Sequence, residues 1–373
     1  MKIAHLTVVR QLTLGQTKQL SFEYEASKAL KGVDWKTIAY HTGPLSEPYM
    51  RRIPAPFRFL FLRNLWGWLV ALNLSRSHDI VMMRHMTFDP FAFIFARLIS
   101  NRVSVHHAKE VEELRLIRKG LKGRAASWLE LVSGRHSVRR TQMILGVTQE
   151  IAEYERDLHA PGKDIGVYPN GVDTTKIPIL SDDREQDAVH AAFICGTFSD
   201  WHGLDKLISA IDAYHPHPDD PPLNIHLVGK LSDAQISEIE ATTARLAVFR
   251  KYGILKEAEY RTILAKCDVG ISSLAMERQN LYEGSTLKVR EMLAMGLAIY
   301  SGHIDHALQE SDSFVLVTQR PSVQEILLLA SKAKEIERNW IRTKSAGRIE
   351  KSRAIEGIVK LFSSTVTRSN HFE

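Results

Sequence analysis

The most constraining feature of this chain is a rhythm. Short, nearly continuous apolar runs recur along it, each followed by a longer amphipathic stretch. In the first half the runs are IAHLTVV (3–9), KTIAY (36–40), DIVMMR (79–84), RVSVHH (102–107), MILGVT (143–148) and DIGVYPN (164–170), with helical segments such as 19–30 and 149–159 between them. Brief runs of this kind, rich in β-branched residues, read as strands buried on both faces. Such strands alternating with helices build parallel sheets sandwiched by helices. The rhythm stops at 177–190, IPILSDDREQDAVH, where a proline and four acids leave no clear period and a linker is expected. It then restarts with AAFICG (191–196), NIHLVG (224–229), VFRKYG (248–253), VGISSL (269–274), AIYSG (298–302) and FVLVT (314–318), with helices near 203–212, 232–245, 256–266, 286–295 and 322–339.

The expected fold class is therefore α/β, as two Rossmann-like domains whose parallel sheets face across a central cleft. The expected boundaries are 1–180 for the first domain and 181–345 for the second. A basic helix, 346–373, is expected to pack back on the first domain. In such sheets ligands collect at the carboxyl ends of the strands. A length of 373 residues suffices for two cores, and 44% apolar with 25% charged residues is the balance of a soluble globular protein. The two cysteines, Cys195 and Cys267, lack metal spacing and read as small buried thiols in a reducing compartment. No signal peptide is visible at the start. The most apolar segment, 57–74, is interrupted by Arg58 and Arg63 and is too short to span a bilayer.

Charge is distributed unevenly. Residues 1–180 hold 26 Lys and Arg against 16 Asp and Glu; the remainder holds 23 against 27. A basic front half implies an anionic partner, and without a zinc-finger or RNP-type motif a membrane surface or anionic lipid-linked acceptor is favoured over nucleic acid. The segments 51–76 (Arg51, Arg52, Arg58, Arg63 and Arg76 around Phe57, Phe59, Phe61, Trp66 and Trp68) and 115–140 (Arg115, Arg118, Lys119, Lys122, Arg124, Arg135, Arg139 and Arg140 around Leu121 and Trp128) mix cations with apolar groups as interfacial segments do.

One junction concentrates chemistry. In YEGSTLKVREMLAMGLAIYSG (282–302) a loop runs into a helix that Ser285 or Thr286 can cap, with Leu287, Met292 and Met295 facing inward and Gly296 ending it. Lys288 falls in the first turn, where the helix dipole disfavours a cation. Its presence makes sense beside a bound anion, because first-turn amides already form an anion site. Glu291, three residues on, can accept from a pair of sugar hydroxyls. Glu283, before the helix, can hold a second hydroxylated group. Hydroxyls, phosphates and hydroxyls in order describe a nucleotide sugar.

Further motifs appear along 144–302. YPNGVDTTKI (168–177), GTFSDWHGLDKLISAI (196–211), ILGVTQEIAEYE (144–155) and the two glutamates with seven residues between them resemble, in order, the marks of family 4 glycosyltransferases of the GT-B fold. The resemblance implies a retaining transferase that moves a sugar from a nucleotide-sugar donor to a glycan or lipid-linked acceptor, at the inner face of the cytoplasmic membrane in surface polysaccharide or lipopolysaccharide synthesis. No metal or other cofactor is expected. It implies that Glu291 binds the ribose and Glu283 the donor sugar, that the amides of Gly284, Ser285, Thr286 and Leu287 meet phosphate or sugar, and that the backbone of Gly253, Ile254 and Leu255 reads the base. Gly196 ends the glycine-terminated strand, Gly15 stands for the loop facing the donor, and Asn170 and Asp173 organise the turn. The family's Arg and Lys clamp is replaced here by Thr197 to Ser199 and His202; either Lys288 and Lys206, with Lys230 as a further partner, supply the missing charge, or the donor carries less phosphate charge, as one with a single phosphate would. The resemblance places a histidine near the donor sugar; His106 is favoured, with His107 close behind, and Glu110 and Arg84 are assigned to the acceptor. Two alternatives stay open, a sugar-nucleotide epimerase of the same fold and a catalytically silent binding subunit.

Overall fold

The computed structural model describes residues 1–117, 120–242 and 247–369. The chain divides into two compact units, Met1–Asp173 with Lys351–Glu373, and Thr174–Glu350. The divisions lie several residues from the 180 and 345 expected.

Unit 1 carries strands β1 (Lys2–Val8), β2 (Asp34–His41), β3 (Met50–Arg52), β4 (Ile80–Arg84), β5 (Arg102–His106), β6 (Met143–Gly146) and β7 (Ile165–Val167). Its helices are α1 (Leu14–Ser27), α2 (Leu60–Ser75), α3 (Ala92–Phe95), α4 (Glu110–Ile117), α5 (Leu121–Arg139) and α6 (Gln149–His159). The sheet is parallel throughout, in the order β3-β2-β1-β4-β5-β6-β7. Alternation along the strands divides the core in two. Val81 and Met83 of β4 join Leu6, Trp68 and Ala71 on one face, while Ile80 and Met82 join Val103, Val105 and Leu145 on the other.

Unit 2 carries β8 (Val189–Thr197), β9 (Leu223–Lys230), β10 (Ala247–Gly253), β11 (Val269–Ile271), β12 (Ala298–Ser301) and β13 (Val315–Val317). Its helices are α7 (Leu204–Asp212), α8 (Asp233–Ala241), α9 (Glu257–Lys266), α10 (Leu287–Ala294), α11 (Val323–Lys334) and α12 (Arg338–Ile349). The sheet is again parallel, ordered β10-β9-β8-β11-β12-β13. Both sheets reverse their winding direction beside the first strand, between β1 and β4 and between β8 and β11. That is where ligands settle in open α/β sheets.

The last helix, α13 (Lys351–Ser369), returns to unit 1 and lies on α1 and β7, adding Ile355, Ile358 and Phe362 to the core face that holds Val103 and Val105. Its entry explains the glycine of the PNGVD turn. A Cβ on Gly171 would press on the Lys351 backbone, whose N–H donates to the Val172 carbonyl at 2.8 Å. Lys351 is fully buried, with Nζ 3.6 Å from the Tyr168 ring centre and donating to Pro169 O at 3.2 Å. Tyr168 donates in turn to Glu23, which also takes His5 Nδ1 and Thr37 Oγ1, each at 2.8 Å.

Three expectations need correction. The segment 177–190 is no free linker: Leu180 N–H donates to Met295 O at 3.1 Å, Asp183 N–H to Ala265 O at 3.2 Å, and Arg184 reaches the Ile336 carbonyl. It is polar because it runs over the surface of unit 2. The helix expected at 322–339 is two, α11 and α12, and β3 was not foreseen, being a three-residue edge strand with one buried side chain. Both cysteines are buried free thiols.

Candidate functional site

The candidate site in unit 2 sits where β8 and β11 end. Beyond β8 the chain passes Phe198 and Ser199 into a single turn at Asp200–His202, then through Gly203 into α7. Gly203 is left-handed, with φ of 72°, and a Cβ there would crowd Leu274 and Ala275 of the loop after β11. The two loops are tied together, Leu274 N–H donating to His202 O at 2.9 Å and Ala275 N–H to Trp201 O at 3.3 Å. Beneath them β8 bulges between Ile194 and Thr197. The neighbouring Gly229 adopts φ of 140°, and any Cβ on it would collide with the Cys195 carbonyl.

The loop after β11 leads to α10. Glu283 forms a bridge with Ile304, Gly284 N–H donates to Ile304 O at 2.8 Å, and His306 Nε2 stands 3.7 Å from the Glu283 carboxylate. Gly284 leaves no room for a side chain because His303 lies against it. Thr286 is the N-cap residue, but its hydroxyl does not cap the helix; it is buried without a protein partner. The first-turn amides beside it have no carbonyl within the helix to bond. Lys288 projects from this turn toward β8. Burial pushes the Cys195 thiol up to about 11, with the Lys288 ammonium and its hydrogen bond pulling the other way. Burial and the same ammonium push His202 down to about 4, so the imidazole is neutral near pH 7; its Nδ1 accepts from Ser199 N–H at 2.9 Å. A cation, a row of free amides, a neutral imidazole and an unpartnered hydroxyl thus meet at the switch point, a combination suited to phosphate.

The helix is anchored from behind by a pair that sequence reading missed. Arg290, 1% exposed, forms a two-pronged contact with Asp305 at 2.7 and 2.9 Å. Met292 and Met295 face inward as expected, while Leu287 is half-buried. Glu291 is half-buried on α10. Gly253, with φ of 68°, and Ile254 are exposed at the end of β10, and Leu255 is half-buried; Gly196 is exposed at the end of β8. Lys230 is exposed at the end of β9. Lys206 differs from expectation. It pairs with Glu277 at 2.7 Å and donates to Leu274 O at 3.1 Å, so its charge braces the loop after β11.

In unit 1 a cavity of about 380 Å³ opens at the ends of β1, β4 and β5, with Arg10, Asn64, Arg84, His107, Glu110 and Glu113 among its lining residues. Arg84 and Glu110, both assigned to the acceptor, are therefore in its wall. His106 is not. Strand alternation turns it away from the side of Val103 and Val105, and it is 0% exposed, with Nδ1 3.1 Å from Glu110. His107 lines the cavity; burial first, then Arg84, pushes it well below the usual histidine range, so it is neutral. Gly15 lies in the first turn of α1 with open space about it, because a Thr13–Gln16 capping box starts the helix there rather than leaving a loop.

No family model matches the chain, and no curated protein matches it in sequence. Solved structures do. A lipopolysaccharide outer core galactosyltransferase, WaaB, superposes with a TM-score of 0.60 at 11% identity over 99% of this chain and 100% of its own. Anabaena Alr3699/HepE, solved with UDP-glucose, gives 0.61 at 14% identity over 98% and 100%. An α-glucosyltransferase solved with UDP gives 0.56 at 12% over 98% and 100%. The fold is therefore that of the GT-B glycosyltransferases, two Rossmann-like domains built on parallel sheets of seven and six strands.

Proposed function

We propose that the chain is a retaining glycosyltransferase of the family 4 type, taking its sugar from a nucleotide sugar and delivering it to a glycan or lipid-linked acceptor during surface polysaccharide or lipopolysaccharide synthesis. The observation that carries the reading is the meeting of Lys288 and the open α10 N-terminus with the β8 loop at the switch point. The leaving phosphate gains charge as the glycosidic bond breaks. Fixed amides and an ammonium aimed at that charge stabilise the transition state more than the ground state. Glu291 is assigned to the ribose and Glu283 to the donor sugar. With His202 neutral and Lys206 paired elsewhere, Lys288 carries the phosphate charge in this reading, and no metal is needed for the step. Retention is assigned to a same-face substitution in which the departing phosphate takes the acceptor proton. The acceptor is assigned to the cavity with Arg84, His107 and Glu110. Support for the donor class comes from neighbours solved with UDP-glucose and UDP, and for the acceptor class from the lipopolysaccharide enzyme.

Membrane attachment is the second half of the proposal. α5 is built inside out: Gly123, Ser127, Glu130, Ser133 and Ser137 are buried, while Leu121, Trp128, Leu129 and Val132 are exposed among Arg124, Arg135 and Arg139. Phe93, Ile94 and Leu98, on and after the adjoining α3, are exposed too, as are Phe59 and Phe61 by α2. Apolar side chains ringed by arginine suit the interface of an anionic bilayer. Trp68 is not part of this surface, being 1% exposed in the core. Arg118 and Lys119 lie outside the described residues. No described helix is long and apolar enough to cross a membrane.

The test is incubation with a panel of nucleotide sugars, with and without a membrane-lipid extract. Nucleotide release that requires the extract is expected. Isomerised donor without extract would make the protein an epimerase, and tight donor binding without turnover a silent subunit.

A further inference from the structure

We propose that His106, Glu110 and Glu155 bind a first-row divalent metal ion inside unit 1. One donor atom from each converges, all lying within 4.8 Å of one another, and all three residues are buried. His106 Nδ1 stands 3.1 Å from a Glu110 oxygen and 3.7 Å from a Glu155 oxygen, and His159 Nε2 stands 3.4 Å from that same Glu155 oxygen. Ligands at about 2.0–2.2 Å around a tetrahedral ion stand about 3.3 Å from each other, and the two His106 separations fall on either side of that value.

The three donors come from two places in the fold, with His159 beside the third. His106 and Glu110 bracket the turn from β5 into α4, and Glu155 and His159 share one face of α6. The strand parity that removed His106 from the cavity is what points it toward this cluster. Hydrogen bonding leaves the group incomplete. The second Glu155 oxygen and His106 Nε2 are buried with no partner, and the hydrogen bond between the Glu110 and Glu155 side chains requires one of the two carboxyls to hold a proton, which a divalent cation would displace. Two carboxylates close together in a dry interior repel; a divalent cation neutralises both and takes the imidazole lone pair. Mixed imidazole and carboxylate ligands favour zinc, manganese or iron over magnesium or calcium, which prefer all-oxygen sites.

The ion would be structural. Glu110 lines the 380 Å³ cavity and His107 adjoins His106, so a filled site would hold that wall in place. It belongs to unit 1, and the phosphate chemistry assigned above to unit 2 does not depend on it.

The experiment uses the full, untagged chain. Purified protein is expected to contain about one zinc, manganese or iron per chain by mass spectrometry. After stripping, Zn²⁺ or Mn²⁺ should raise the melting temperature by several degrees while Mg²⁺ and Ca²⁺ do not. Glu155→Gln should abolish both the bound metal and the shift while keeping the circular dichroism of stripped wild type. Wild-type protein free of metal and unmoved by Zn²⁺ and Mn²⁺ would overturn the proposal, as would Glu155→Gln protein that still binds one equivalent. If Glu155→Gln does not fold, the wild-type metal content and an anomalous scattering peak next to His106 Nδ1, present or absent, decide the matter.

Discussion

At the scale of single residues, one ammonium carries much of the proposed chemistry. Lys288→Met keeps the length of the side chain and removes its charge. It should lower kcat by about 10²- to 10³-fold, as the loss of one transition-state stabiliser does, with donor affinity changed much less. Steady-state kinetics on extract-dependent nucleotide release measure the split, and unchanged kcat would remove Lys288 from the mechanism. Gly229 is the other decisive position. Gly229→Ala places a methyl group against the Cys195 carbonyl at a φ that L residues avoid, and should destabilise the protein by about 2–4 kcal/mol in denaturant titration. Lys288 was legible in the sequence because a lysine in a first helical turn is locally unfavourable. The choice between His106 and His107 was not: alternation fixes that neighbours face opposite ways, but which face is lined by α6 depends on tertiary packing. Arg290 was equally hidden, since its partner lies on another segment and nothing nearby in sequence marks an arginine for burial.

At the scale of elements, the segments that hold unit 1 together meet at Glu23. Burial pushes its carboxyl up, yet His5, Lys351 and Tyr168 more than offset this and hold it at about 2, below the ordinary 4.5. A depressed folded-state value means stability that is complete above about pH 4.5 and is lost as pH falls toward 2. Glu23→Gln should therefore be less stable at pH 7, and its denaturation midpoint should vary less between pH 4.5 and 2 than that of wild type. Parallel loss in both proteins across that range would show that Glu23 is not the linked group. The strands and most helices were readable from period alone, because buried parallel strands are continuous apolar runs. β3 escaped because three residues give no period, and the 177–190 segment misled because surface polarity looks the same on a pinned strap and a free linker.

At the scale of the whole molecule, the exposed face of α5 makes the membrane proposal measurable. Wild-type protein should float with anionic liposomes and not with neutral ones. Replacing Trp128 and Leu129 by serine should abolish flotation while lowering the unfolding free energy by no more than about 0.5 kcal/mol per substitution, since both side chains are already exposed. Equal and negligible binding of wild type to both lipids would remove the proposal. The division into two α/β units was legible from the interrupted rhythm. Its true edges were not, because they are set by which sheet each connecting residue bonds to.

The return of α13 has a consequence for biogenesis. The first unit lacks one wall of its interior until Ile355, Ile358 and Phe362 have been translated, whereas everything the second unit requires has been made by Glu350. On the ribosome the half begun later is thus the half equipped to mature earlier, and its elder sibling waits, with an apolar flank uncovered, for the final helix to close it.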